Sequence, residues 1–93
     1  MTIGLLQIEF TIPGSRSLKE KRRGMESLKT LLRNRFNCSV AETGYKDKWA
    51  RSKLTICVVS DESAHVSSQL DTIVRFASNH HAVQMIDYHI EML

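Results

Sequence analysis

Hydrophobic and polar residues alternate near the start of the chain. Within residues 1–12, every second residue from Leu6 to Ile12 is apolar, and the residues between them are polar. A period of two is typical of a strand that buries one face and exposes the other. The dipeptide Pro13-Gly14 then predicts the turn that ends this strand.

The hydrophobic period becomes helical after this turn. Ser17 and Glu20 have the spacing of a capping box, in which the serine caps the first free amides of a helix and the glutamate reaches back. Five apolar residues follow at helical spacing: Leu18, Met25, Leu28, Leu32 and Phe36. Their spacing predicts a helix from about Leu18 to Arg35 with one buried stripe.

The remaining elements follow from the same two periods. Alternation over 38–43 and over 53–60 predicts the second and third strands. Asp61 is placed to cap a second helix that extends to about Asn79, and 83–92 predicts a last strand. The order strand–helix–strand–strand–helix–strand predicts a ferredoxin-like α+β fold, in which a four-stranded antiparallel sheet carries two helices on one face.

The chain is predicted to form one such domain over residues 1–93. Since the crossover through the first helix makes the first two strands parallel, the first strand–helix turn, the hairpin and the second helix–strand turn meet at one end. On the outer sheet face, alternation places Leu5, Cys57, Val59 and Met85, which could support self-association. The third strand has no aromatic residue for the base stacking of an RNA-recognition motif.

Positive charge is concentrated in the first half of the chain. Twelve of the thirteen Lys and Arg residues lie between Arg16 and Lys53, with only four of the ten carboxylates. Such an asymmetry suggests an anionic partner. One flank of the first helix carries Lys19, Arg22, Arg23, Lys29 and Arg33. This flank could neutralise phosphates, or it could be only a solvated helix face.

The predicted contacts to nucleic acid come from this flank, the preceding turn and the hairpin. They are Arg16, Lys19, Arg22, Arg23, Lys29, Arg33, Lys46, Lys48, Trp49 and Arg51. Trp49 is the sole tryptophan, and it could stack on an exposed base or cover the open end of the core.

Lys21 differs from the other cations because it falls within the apolar stripe of the first helix. A lysine there must take its ammonium group to water or to a carboxylate. Glu42 is the natural partner, since alternation with Val40 points it to the helix-covered face at the same end. The pattern favours a structural ion pair over an acid–base site.

Other chemistry is weakly indicated. The four histidines and two cysteines have no metal-ligand spacing, and neither cysteine has a set of partners for nucleophilic catalysis. One of His80 and His81 is predicted to cap the second helix. We therefore expect no cofactor, no metal and no catalytic residues. No apolar run approaches the ~20 residues that cross a membrane, and a cytoplasmic location is the default expectation.

Three segments resemble the YlxP-like family of small bacterial proteins of unknown function. They are Ser17–Arg22, Phe36–Glu42 and Asp47–Trp49. The resemblance covers nearly the whole chain and implies a ferredoxin-like fold and a bacterial cytoplasmic protein. Genes of such proteins often lie near genes for translation initiation and ribosome maturation, which is a hint toward RNA. The resemblance implies no established activity.

The leading hypothesis is a non-enzymatic module that binds RNA or ribosomal particles through the basic helix and adjacent turns. The alternative is a homo-oligomeric protein-interaction module that uses the outer sheet face or a sheet edge. A third hypothesis is an enzyme that acts on phosphorylated small molecules at the turn beside Arg16, where a helix N-terminus favours anions.

Overall fold

The computed structural model describes residues 1–93 and contains six elements in the predicted order. They are β1 (Thr2–Thr11), α1 (Leu18–Arg35), β2 (Ser39–Gly44), β3 (Arg51–Ser60), α2 (Ser63–Ser78) and β4 (Gln84–Met92). This order, with a four-stranded antiparallel sheet and two helices, confirms the ferredoxin-like α+β fold. Neither helix is long and apolar enough to cross a membrane.

The strands lie in the order β2-β3-β1-β4, and every neighbouring pair is antiparallel. The alternating apolar residues of β1 are fully buried from Leu6 to Phe10. They form one core with the apolar stripes of both helices, so both helices cover the same face of the sheet. Burial of each large side chain there stabilises the fold by about 1.5–3 kcal/mol. The other face of the sheet stays open.

Three connecting segments meet at one end of the sheet, as the topology predicts. Thr11 at the end of β1 pairs with Arg51 of β3 and with Gln84 of β4. The turn 12–17, the hairpin 45–50 and the turn 79–83 therefore share this end, which we call the loop end. The backbone amide of Ile12 donates to the carbonyl of Ala50 at 3.0 Å and joins two of these segments directly.

A bulge changes the alternation in β4. Asp87 pairs with Glu9 and Met85 pairs with Phe10, which leaves Ile86 as an extra residue. Because one inserted residue reverses the faces of all residues before it, Met85 packs against the core. The prediction that Met85 lies on the outer face was wrong for this reason.

The start of α2 also differs from the prediction. Its N-cap is Glu62 rather than Asp61, and no side chain caps the helix. The hydroxyl of Ser60 accepts the amide of Glu62 at 3.3 Å and donates to Asp61 Oδ1 at 3.3 Å. The aspartate is thus engaged by the preceding residue and does not reach the first turn of the helix.

Candidate nucleic-acid interface

The first turn of α1 is capped by its own side chains. Ser17 is the N-cap, and its Oγ accepts the amide of Glu20 at 3.1 Å. The carboxylate of Glu20 reaches back one residue beyond Ser17 and accepts the amide of Arg16 at 2.6 Å. An anion at this turn would have to displace Glu20 from that amide. This contact weighs against a phosphate site built on the helix N-terminus alone.

The ammonium group of Lys21 is completely buried at the loop end. Its Nζ lies 2.9 Å from Glu42 Oε2, and the lysine side chain is 0% exposed. It also donates to the backbone carbonyls of Tyr45 at 2.6 Å, Arg51 at 3.2 Å and Lys46 at 3.3 Å. A lysine ammonium has only three donor hydrogens, so all of its hydrogen-bonding capacity is used.

The same carboxylate is held from a second side. Ser52 is fully buried, and its hydroxyl donates to Glu42 Oε2 at 2.6 Å. We call Lys21, Glu42, Ser52 and the carbonyls of Tyr45, Lys46 and Arg51 the Lys21 network. Lys21 belongs to the first turns of α1, and its acceptors lie in the hairpin and in the adjoining ends of β2 and β3. The network therefore fixes the start of α1 to the hairpin.

The hairpin has a strained residue at its start. Tyr45 has φ 59°, a left-handed conformation that bulky side chains rarely adopt. Its carbonyl accepts the amide of Lys48 at 3.0 Å as well as the ammonium of Lys21. Strain of this kind costs about 1–3 kcal/mol and persists where neighbouring contacts hold it. These two hydrogen bonds supply such contacts.

Two aromatic residues of the hairpin are accessible. Trp49 has a half-exposed side chain, so it does not close the open end of the core. This exposure favours the interpretation in which Trp49 stacks on a base. The guanidinium carbon of Arg51 lies 4.4 Å from the ring centroid of Tyr45. Arg51 also lies 3.4 Å from a carboxylate oxygen of Glu9, so this cation already has two partners.

Two further cations of the predicted set also have partners. Lys29 forms an ion pair with Glu26 at 2.6 Å, and this hydrogen bond lowers the pKa of the Glu26 carboxyl. The guanidinium of Arg33 donates to the carbonyl of Val40 at 3.1 Å. The carboxylate of Glu26 offsets the charge of Lys29, and the bond to Val40 holds one nitrogen of Arg33 away from a ligand.

The other six cations are exposed, and their side chains have no hydrogen bond or ion pair. They are Arg16, Lys19, Arg22, Arg23, Lys46 and Lys48. We call these six the cationic surface. The first four lie in the turn before α1 and in its first two turns, and the last two lie in the hairpin. The Lys21 network therefore holds the two parts of the cationic surface in one frame.

A second group of cations was not predicted. A groove of about 570 Å³ lies between α1 and α2 and is lined by Arg35, Arg75, His80 and His81, with no carboxylate among its lining residues. The guanidinium of Arg35 lies 5.0 Å from the ring centroid of Phe76. No local pattern indicates this groove, because Arg35 and Arg75 are forty residues apart and only the packing of the helices joins them.

His80 is buried at the edge of this groove. Its Nδ1 accepts the amide of Ala82 at 3.1 Å, and its ring stacks on His81 with centroids 4.5 Å apart. Burial, and secondarily the charge of His81, lowers the pKa of His80. Asn79 rather than a histidine donates its side chain to the last turn of α2, at the carbonyl of Arg75, so the predicted histidine cap was wrong.

The lowered pKa of His80 predicts an acid-sensitive stability. Below the ordinary pKa of 6.5 the unfolded chain binds a proton that the folded His80 resists, so the free energy of unfolding falls as the pH decreases. The free energy of unfolding stops falling once the pH is below the pKa of His80 in the folded protein. Thermal unfolding between about pH 7.5 and 5 should show a smaller decline for His80→Gln than for the parent. His65→Gln, at an exposed histidine, should decline like the parent; equal curves for all three proteins would contradict the assignment.

Comparison with known proteins identifies the family. Residues 3–90 match the family described as protein of unknown function (DUF503). The chain belongs to this family. It is 35% identical over 74 residues to the uncharacterized protein YlxP of Bacillus subtilis (strain 168), covering 80% of each chain. The predicted YlxP-like relationship is confirmed.

A solved structure with the same fold is the de novo designed protein Foldit4. It superposes on the whole of this chain and on 97% of its own length with a TM-score of 0.53. The two sequences are only 9% identical, so this similarity concerns the fold alone. Neither the family description nor the YlxP name assigns a function.

Proposed function

We propose that this protein is a non-enzymatic module that binds structured RNA, free or in a ribosomal particle, through the cationic surface. The observation that carries the proposal is the set of six exposed cations without partners on two segments that Lys21 joins. Solvated charge runs usually contain compensating carboxylates. Beside this surface Glu26 is already paired with Lys29, and the remaining carboxylates, Glu20 and exposed Asp47, are only two against six cations.

The form of the surface suits a phosphate backbone. Each phosphate that a cation neutralises releases counterions, and the logarithm of the binding constant then falls with the logarithm of the salt concentration by about 0.7–0.9 per contact. Trp49 and Tyr45 are exposed in the same hairpin and offer ring faces to unpaired bases, each worth about 1–3 kcal/mol. β3 has no aromatic residue, so we assign recognition to the helix and hairpin rather than to the sheet.

The test is titration with a structured RNA hairpin over a salt series, with the fluorescence of Trp49 as the signal. Arg22→Ala/Arg23→Ala should weaken binding at least about tenfold at low salt and reduce the salt slope by about 1.5, because two phosphate contacts are lost. Both arginines are exposed helix residues, and alanine has the best helix propensity, so the fold should be retained.

The matched control is Arg35→Ala/Arg75→Ala, which removes the same charge from the groove between the helices. Apart from the general effect of the smaller net charge, the salt slope of RNA binding by this variant should equal that of the parent within error. If the groove pair weakens binding and the Arg22/Arg23 pair does not, the site lies elsewhere. A parent protein without salt-dependent binding would reject the proposal.

Self-association through the outer sheet face is the second candidate. The helices leave this face open, and Val59 there is 55% exposed beside half-buried Leu5 and Cys57. Met85 has turned to the helix side, so the apolar patch is smaller than the sequence predicts. We therefore rank this candidate below RNA binding. Substitution of Val59 by lysine would abolish an oligomer of this kind.

A further inference from the structure

The two edges of the sheet differ in how well they are protected. β2 is a short edge of six residues, and Arg33 occupies the carbonyl of Val40. β4 is a nine-residue edge without Lys, Arg or Pro, residues that commonly block the pairing of edge strands. A bulge also protects an edge, but the bulge at Ile86 leaves the segment 87–92 regular. Its side chains Tyr88 and Met92 are 51% and 43% exposed. An edge of this kind is available to another strand.

The hydrogen-bonding phase of β4 shows which groups are free. Leu93 and Ile3 exchange both backbone hydrogen bonds, at 2.8 and 3.4 Å. In an antiparallel pair, alternate residues bond to the same neighbour. The amides and carbonyls of Tyr88, Ile90 and Met92 therefore point away from β1, along the open edge.

We propose that two copies of the chain pair through β4, antiparallel, about a twofold axis at Ile90. Ile90 then faces Ile90 of the second copy, and Tyr88 faces Met92. These outward-pointing residues would exchange about six backbone hydrogen bonds across the axis. On the outer face His89 of each copy faces Glu91 of the other copy. The twofold axis therefore produces two contacts between an imidazole and a carboxylate.

The neighbouring registers are less favourable. An axis at His89 would place Asp87 opposite Glu91, and like charges in facing positions destabilise a sheet. An axis at Tyr88 would place the bulge at Ile86 within the ladder, where an extra residue disrupts pairing. The Ile90 register uses only the regular part of β4 and places His89, a hydrogen-bond donor, opposite the carboxylate of Glu91.

This association goes beyond RNA binding and uses a different part of the molecule. Met92 pairs with Gly4, so the pairing segment lies toward the end of the sheet opposite to the loop end. A single pair of edge strands forms a small interface, so the dimer should be weak and dependent on concentration. Success or failure of the RNA titration does not decide this proposal.

Sedimentation over a wide concentration range tests it. The parent should shift from monomer to dimer as its concentration rises. Tyr88→Lys/Met92→Lys places lysines opposite each other across the axis and should keep the protein monomeric, with thermal unfolding close to that of the parent. Val59→Lys is the matched control on the outer face and should dimerise normally. A parent that stays monomeric at its highest soluble concentration, or a dimer that only Val59→Lys breaks, would overturn the proposal.

A charge exchange tests the register separately. His89→Glu places a carboxylate opposite Glu91 and should weaken the dimer about tenfold. His89→Glu/Glu91→His exchanges the two groups and should restore the parent affinity. In a register about Tyr88, residue 89 faces Asp87, and the exchange would give no rescue. A dimer that the exchange does not rescue therefore contradicts the Ile90 axis.

Discussion

Lys21→Met is expected to destabilise the protein by about 3–5 kcal/mol, the usual cost when one partner of a buried ion pair is removed. The substitution keeps the volume of the side chain but leaves Glu42, with 13% of its side chain exposed, without its cation. It also removes the donor to the carbonyls of Tyr45, Lys46 and Arg51. Urea-induced unfolding, followed by circular dichroism, measures the decrease in the free energy of unfolding. A decrease of this size could exceed half of the total for a typical domain.

The matched control is Lys29→Met, the same substitution two turns later in α1. Lys29 pairs with Glu26, whose side chain is 62% exposed, so water screens the pair. Pairs of this kind contribute about 0–1 kcal/mol. Lys21→Met/Glu42→Leu should recover part of the loss because no buried carboxylate remains unpaired. If Lys21→Met costs no more than Lys29→Met, the Lys21 network does not hold the hairpin.

Gly4→Ala is expected to cost about 1–3 kcal/mol, the range for overpacking a filled core. At Gly4, side chains of α2 lie directly against the backbone of β1. An added Cβ would meet Val66 Cγ1 and lie 2.7 Å from Leu70 Cδ1, and both side chains are fully buried. The helix must therefore shift or its side chains must leave their rotamers. The midpoint of urea unfolding measures the effect.

Gly14→Ala provides the control because a Cβ at Gly14 would have nothing within 4 Å. Its backbone φ also lies outside the range that favours glycine, so alanine should change the stability by about 0.5 kcal/mol or less. Equal effects of the two substitutions would show that α2 tolerates displacement at Gly4 and would contradict close packing of Val66 and Leu70 against this glycine.

The fold could be predicted from the sequence because its periods are regular. The alternation of Leu6, Ile8 and Phe10 and the stripe of α1 lead to the observed elements, and the helical bounds Leu18–Arg35 are confirmed. The bulge at Ile86 could not be predicted. It depends on the pairing of β4 with β1, and an extra residue in a strand leaves no trace in local composition.

The site was predictable where side chains meet side chains, and less so where they meet the backbone. A helical wheel places Lys21 on the buried stripe, and alternation turns Glu42 toward it. Lys21 also contacts backbone carbonyls of the hairpin. Because every residue type has such a carbonyl, the sequence does not mark these acceptors. For the same reason the sequence cannot reveal that Arg33 donates a hydrogen bond to the carbonyl of Val40. The groove with Arg35 and Arg75 depends wholly on the packing of the helices.

The most direct test of the cationic surface compares the salt dependence of RNA binding for two pairs of cations. Arg22→Ala/Arg23→Ala removes two of the four cations at the start of α1, and Lys46→Ala/Lys48→Ala removes both cations of the hairpin part. If the Lys21 network holds both parts in one interface, each pair should reduce the slope by about 1.5, and the combined variant should reduce it by about 3. A slope that neither pair changes, or that only one pair changes, would contradict a single interface.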